Sequence, residues 1–267
     1  MDKIKVLSIF GTRPEAIKMA PIIKEMEKCE HIHQEVCVTA QHREMLDQVL
    51  NIFNIKPDYD LNIMTQNQTL TGITINALKG LEETLEKANP DIILVHGDTT
   101  TTFVGSLAAF YKKIKIGHVE AGLRTYNKYE PFPEEMNRKL TGAMADLHFA
   151  PTNLSKENLL KENIDEQNIF ITGNTSVDCV KTTVVKDYKF SCDVLNNIDY
   201  ENKKVITMTA HRRENLGESL ENICNAILKL VEMNEEVEVV YAVHFNPLVR
   251  EVANRILGNN SRIHLID

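Results

Sequence analysis

Apolar runs of strand length alternate with stretches of helical period along nearly the whole chain. "KVLSIF" (5–10) leads into a helical pattern over 15–28, "EVCVT" (35–39) into one over 43–53, and "DIILVH" (91–96) into one over 101–112. "IKIGHV" (114–119), a pattern over 134–145, "LHFA" (147–150), a polar helical stretch over 153–162 and "NIFIT" (168–172) continue the series. The strand-like runs show no polar alternation, so they are buried on both faces, which a parallel sheet covered by helices provides. The class is α/β.

Punctuation supports these boundaries. Pro14 falls in a first helical turn, where proline is tolerated, and Pro90 closes a helical stretch over 69–88 just before the next strand. Pro21 lies inside the first helical pattern and predicts a kink there. After "GNTSVD" (173–178) a polar segment with no clear period predicts a connection over 186–203. A second series follows: "KVITMTA" (204–210), a helix over 219–233, "VEVVYAVH" (237–244), a helix over 247–257 and "RIHLID" (262–267). The expected organisation is an N-terminal Rossmann-like domain (1–185), the connection, and the start of a second Rossmann-like domain (204–267), the two facing each other. With 267 residues, 43% of them hydrophobic, the chain has enough apolar material for this.

The net charge of −8 opposes nonspecific attraction to nucleic acid or anionic lipid, so an anionic ligand would need local arginines. The first apolar run is too short for a signal peptide or a membrane span, which makes the cytoplasm the expected location. Five cysteines without a C-x-x-C pair suggest reduced thiols. His31-x-His33 and His118-x-Glu120 lack further ligands in pattern, so neither a metal nor a cofactor is expected.

Ligands of open parallel sheets bind beyond the carboxyl ends of the strands. Polar clusters stand there after almost every strand: "GTRPE" (11–15), "AQHRE" (40–44), "HGDTTTT" (96–102), "VEAGLR" (119–124), "TGNT" (172–175), "AHRREN" (210–215) and "HFNP" (244–247). In the first, Gly11, a helix N-terminus and Arg13 suit a phosphate, without the G-x-G-x-x-G or Walker lysine spacing; the competing reading pairs Arg13 with a surface acid. Asp98 is either a functional carboxylate or the N-cap of the next helix. Glu120 is a poor cap at the end of a wholly apolar strand, which leaves a buried pair or catalysis. Of Glu134 and Glu135, one complements the helix dipole, and Arg138, at i+4 from Glu134, is spaced to pair with it. His211, Arg212 and Arg213 are either a solvated basic turn or partners of a diphosphate. The proline-stiffened loop "YEPFP" (129–133) is expected to return Glu134 to a cleft already holding Glu120 and Asp98, a set suited to proton transfers on a substrate held by its phosphates.

"FGTRPEAIKMAP", "VTAQHREMLDQVL", "DYDLNIM", "LVHGDTTTT", "GHVEAGLRT", "PFPEEMNRKLTG", "IFITGNT", "AHRREN" and "VHFNPLVRE" together resemble the bacterial and archaeal non-hydrolysing UDP-N-acetylglucosamine 2-epimerases over almost the entire chain. The resemblance implies a glycosyltransferase-B-like fold with the active site between two Rossmann domains. It also implies interconversion of UDP-GlcNAc and UDP-ManNAc for surface polysaccharides, and a homodimer for the full-length protein. The implied route removes the C2 proton, eliminates UDP to leave 2-acetamidoglucal, and re-adds UDP with protonation of the opposite face. By motif, Asp98, Glu120 and Glu134 are the acid and base candidates, His211 stands among the catalytic groups, and Arg13, Lys18, Arg138 and Arg212 hold substrate or the leaving diphosphate.

Many bacterial members bind UDP-GlcNAc at a second, activating site, whose matching positions are Gln41, Glu44, Asn67, Glu134, Arg212 and His244. Glu44 and Asn67 stand where some relatives carry glutamine and arginine; an added anion and a lost cation beside a diphosphate predict a weakened second site. Family members continue past "RIHLID" into a "DSGG…EE" motif that helps hold the uridine, so the second domain is expected to be incomplete here and activity of the 267-residue chain alone to be low. The alternatives are a hydrolysing epimerase or glycosyltransferase of the same architecture, and a sugar-nucleotide-binding remnant without turnover.

Overall fold

The computed structural model describes residues 3–40, 43–64, 68–210 and 216–266, with only the backbone of Glu44. The chain divides into two compact units, Met1–Val184 and Val185–Asp267. The α/β class expected from the sequence is what is observed.

In the first unit the order is β1 (Ile4–Phe10), α1 (Arg13–Met26), β2 (Ile32–Val38), α2 (Arg43–Ile52), β3 (Tyr59–Asp60), α3 (Leu70–Ala88), β4 (Ile92–His96), α4 (Thr100–Tyr111), β5 (Lys115–Val119), α5 (Glu134–Met144), β6 (Leu147–Ala150), α6 (Asn153–Lys161), β7 (Ile169–Ile171) and α7 (Thr175–Thr183). All pairings are parallel and the sheet order is β3-β2-β1-β4-β5-β6-β7. The order reverses between β1 and β4, the switch point where doubly wound sheets open a crevice. β1 shows why its apolar run has no polar alternation. Val6 and Phe10 pack with Ala16, Met19 and Ile23 of α1, whereas Leu7 and Ile9 pack on the other face with Leu81 of α3 and Val104 of α4. Burying each such side chain is worth about 1.5–3 kcal/mol.

α1 runs continuously through Pro21. α3 ends at Ala88 with Asn89 in the left-handed region (φ 43), one residue before Pro90. α7, which the sequence reading did not resolve, starts inside "GNTSVD" with Asn174 as its N-cap.

The second unit contains the short α8 (Asp193–Asn196) within the segment read as a connection. β8 (Lys204–Met208), α9 (Glu218–Met233), β9 (Val237–Ala242), α10 (Pro247–Leu257) and β10 (Ile263–Ile266) follow. Its three parallel strands lie in the order β10-β9-β8 over a core that includes Leu220, Val239, Tyr241 and Leu257. No helix among the described residues is long and apolar enough to cross a membrane. All five cysteines are free; Cys37, Cys179 and Cys224 are buried, and burial pushes the Cys37 thiol up to about 12.

Candidate active site

Three strand ends build the site. β1, β4 and β5 are adjacent, and the chain leaves β4 through Gly97 (φ 70) and β5 through Glu120 (φ 59). The left-handed region is natural for glycine but strained for glutamate, a cost of order 1–3 kcal/mol retained chiefly where the backbone must aim a side chain. Glu120 is buried, and its carboxylate is gripped from several sides. Lys18 of α1 forms an ion pair with Oε2. Arg138 Nη2 of α5 stands 3.5 Å from Oε1, Asn174 Nδ2 donates to Oε2 at 3.5 Å, and His96 Nε2 lies 3.7 Å from Oε2. Burial alone would push this carboxyl up; the His96 ring and the Lys18 ammonium outweigh it and hold it at about 2, against an ordinary 4.5.

Asp98 is brought to the same place by the β4–α4 turn. Arg138 Nη2 pairs with its Oδ2 at 2.5 Å, Arg138 Nη1 donates to the Glu120 carbonyl, and Asn137 Nδ2 donates to the Asp98 carbonyl at 3.0 Å. Two of the sequence readings are corrected here. Asp98 is not the cap of α4: Thr99 is, its Oγ1 accepting from Thr102 N at 3.1 Å. Arg138 does not pair with Glu134: its buried side chain turns toward the sheet, where two strand-end carboxylates outcompete one neighbour along the helix.

Glu134 is half-buried on the first turn of α5, and its carboxylate has no recorded partner among the described residues. Glu135 has the structural task. Its buried carboxylate accepts from Thr125 N (3.0 Å) and Tyr126 N (3.1 Å), which ties the proline-stiffened loop to α5. Asp98, Arg138, Glu135, Thr125 and Pro131 help to line a cavity of about 180 Å³. A larger groove of about 670 Å³, lined by residues such as Lys24 of α1, Cys29 of the turn after it and Asp178 of α7, contains none of these acids, and its size alone does not make it the site.

The phosphate reading of "GTRPE" is also corrected in part. The amides of Gly11 and Thr12 are already taken by Glu15 Oε2 at 3.0 and 2.8 Å, while Glu15 Oε1 accepts from Thr99 Oγ1 at 2.7 Å. The helix N-terminus therefore holds the chain's own carboxylate, and Glu15 ties the β1–α1 turn to the β4–α4 turn. Gly11 is needed for space, since a Cβ there would overlap Thr39 Oγ1 and stand 2.5 Å from Thr101 Oγ1. Arg13 is exposed, with no surface acid paired to it among the described residues.

Behind the acids stand two buried histidines at paired positions of β5 and β6. His118 Nε2 lies 2.7 Å from the Gly97 carbonyl, which can only accept, so Nε2 carries the proton. Burial, and then the Arg138 charge, hold His118 well below 6.5; burial also pushes His148 down.

Gln41, Asn67, His211, Arg212 and Arg213, and the Glu44 side chain, lie outside the described residues. His244 is exposed in the second unit, its Nδ1 accepting from Asn246 N at 3.0 Å. Sequence reasoning missed His96, Glu15 and Asn174. Strand-end position marked the first, a T-x-x-E capping pattern the second, and the cap before α7 the third.

A family model described as UDP-N-acetylglucosamine 2-epimerase matches residues 24–267. A protein of Bacillus subtilis strain 168 with that description is 60% identical over 267 residues, which span 100% of this chain and 69% of the relative. A crystal structure of UDP-N-acetylglucosamine 2-epimerase superposes with a TM-score of 0.90 at 56% identity, covering 100% of this chain and 69% of that one. The Neisseria meningitidis enzyme bound to UDP-GlcNAc does so at 0.80 and 50% identity, covering 99% of this chain and 72% of that one. With a matching sequence over nearly its whole length and the same fold, this chain belongs to the UDP-N-acetylglucosamine 2-epimerase family.

Proposed function

We propose that the chain carries the acid–base machinery for reversible epimerisation at C2 of UDP-GlcNAc, giving UDP-ManNAc. The observation that carries this is the convergence of Asp98, Glu120 and Arg138 at adjacent strand ends of one sheet. A base takes the C2 proton while the C1–O bond to UDP breaks and its electrons leave with UDP, and the C2–H electrons form the C1=C2 bond of 2-acetamidoglucal. UDP oxygen then re-adds at C1 as a proton is delivered to the opposite face of C2. Two faces require more than one proton-transfer group, for which Asp98, Glu120 and Glu134 are the candidates.

Arg138 is committed to Asp98 and to Glu120, and we assign it the task of setting these acids relative to each other. Exposed Arg13 and half-buried Lys18 are the groups of this unit assigned to the diphosphate; Arg212 is assigned to it from the second, and His211 keeps its assignment among the catalytic groups. Gln41, Glu44, Asn67 and His244 keep their assignment to a weakened activating site. The same reading carries a cytoplasmic location and a homodimer for the full-length protein, the latter tested by sedimentation.

The deciding experiment supplies UDP-GlcNAc in D₂O to the 267-residue chain and to the chain extended by the C-terminal segment of its Bacillus subtilis relative. Deuterium at C2 of the UDP-ManNAc product is expected. Product retaining only protium counts against elimination, free ManNAc plus UDP would make the enzyme a hydrolase, and sugar transferred to an acceptor would make it a glycosyltransferase.

A further inference from the structure

His96, the last residue of β4, is 4% exposed. Its Nε2 is buried without a hydrogen-bond partner among the described residues, although it lies 3.7 Å from Glu120 Oε2. That is about 0.7 Å beyond hydrogen-bond length. A buried polar group left in this way is unfavourable and calls for an explanation. Other groups facing the carboxylate are already engaged. Lys18 from α1 is ion-paired with it, Arg138 from α5 is shared with Asp98, Asn174 caps α7, and neutral His118 from β5 is turned to the Gly97 carbonyl.

We infer that His96 is a positioning residue for Glu120, closing on its carboxylate when Lys18 is drawn away by a bound diphosphate. Lys18 is suited to leave, being half-buried on a flexible stem, and a diphosphate offers it more negative charge than one carboxylate. Glu120 would otherwise lose its close partner at the moment its orientation matters. An imidazole nitrogen can donate or accept, so His96 keeps the carboxylate aimed whether or not Glu120 carries a proton. The inference rests on the proposed function for the identity of the diphosphate, and on the structure alone for the coupling of His96 to Glu120.

Protein labelled with ¹³C at glutamate Cδ, with the Glu120 signal assigned through Glu120→Gln, tests the coupling directly in the 267-residue chain. His96→Phe should raise the Glu120 titration midpoint and His96→Gln should raise it less, because the amide keeps a donor near the Nε2 position. An unchanged midpoint in both variants overturns the inference. Should His96→Phe fail to fold, the ¹⁵N signal of wild-type His96 Nε2 decides: it shifts in Glu120→Gln if the two are coupled, and an unchanged signal overturns the inference. Adding UDP should shift the wild-type His96 Nε2 signal further toward that of a hydrogen-bonded nitrogen as the ring closes on Glu120; an unchanged signal with UDP bound overturns the exchange of partners. In the extended chain, His96→Phe should lower kcat by about tenfold or more with KM within about twofold. Failure of the extended wild-type chain to exchange the C2 proton would overturn the epimerase reading alone, whereas exchange with no His96–Glu120 coupling would overturn this inference alone.

Discussion

Arg138 Nη2 lies 2.5 Å from Asp98 Oδ2, so a helix residue fixes the carboxylate of a turn 40 positions earlier in the chain. The same guanidinium faces Glu120, which makes it the counter-charge for two acids that would otherwise repel each other. Arg138→Met keeps much of the length and removes the charge. It should destabilise the fold by about 3 kcal/mol, as expected when one partner is taken from a buried pair. Arg138→Lys should recover only part, since one ammonium cannot span both Asp98 and the Glu120 carbonyl. Urea midpoints at neutral pH, read by circular dichroism, check the order wild type, Lys, Met.

Packing forbids a side chain at Gly11. Gly11→Ala forces a methyl into the hydrogen-bonded Thr39–Thr101 pair, whose oxygens are 2.8 Å apart, and should destabilise by about 1–3 kcal/mol. Thr39→Ala should relieve part of that loss when combined with it, because the overlapping oxygen is gone. A double-mutant cycle in urea measures the recovery, and strict additivity would show that the overlap is not the cause.

Stability should fall in two steps as pH is lowered. His118 and His148 are held below their ordinary 6.5 when folded, so below that pH the unfolded chain binds protons that the folded chain refuses. Their contribution is complete above 6.5 and is lost as pH falls. Glu120, ordinarily 4.5 and about 2 when folded, follows the same sign at lower pH: its contribution is complete above 4.5 and lost between 4.5 and about 2. His118→Gln keeps a donor for the Gly97 carbonyl and removes the titrating ring. It should flatten the decline in urea midpoint just below 6.5, and an unaltered slope would show that His118 is not the source.

Element order was legible because strand-length runs without polar alternation, such as that of β5, have one good solution, a strand covered on both faces. The placement of Glu120 followed from it, since a strand of that kind must deliver its next residue to the rim. Partnerships were not legible. The spacing of Glu134 and Arg138 predicts a pair on one helix, but Asp98 and Glu120 lie 40 and 18 positions from Arg138 in sequence, and only the sheet brings them close. The T-x-x-E pattern of Thr12 and Glu15 was visible, yet its consequence, a helix N-terminus closed to phosphate, depends on a carboxylate turning inward to Thr99. α7 escaped because its apolar residues Val177 and Val180 lie on an exposed face of a polar segment.

The three acids separate by amide substitution. Asp98→Asn, Glu120→Gln and Glu134→Gln keep shape and remove proton transfer, for which losses of about 10²–10⁴-fold in kcat are typical. Their stabilities should differ even where their activities fall together. Glu134 has no recorded partner, so its amide should fold with wild-type stability. Glu120→Gln removes the anion that Lys18 and Arg138 face and should lower stability near neutral pH. Asp98→Asn should leave α4 intact because Thr99 caps it, so a loss of C2 proton exchange in that variant would not come from an uncapped helix. Turnover of the extended chain measured beside urea midpoints checks all three. Near-normal exchange in Asp98→Asn would remove that residue from the chemistry and leave it as the anchor of Arg138.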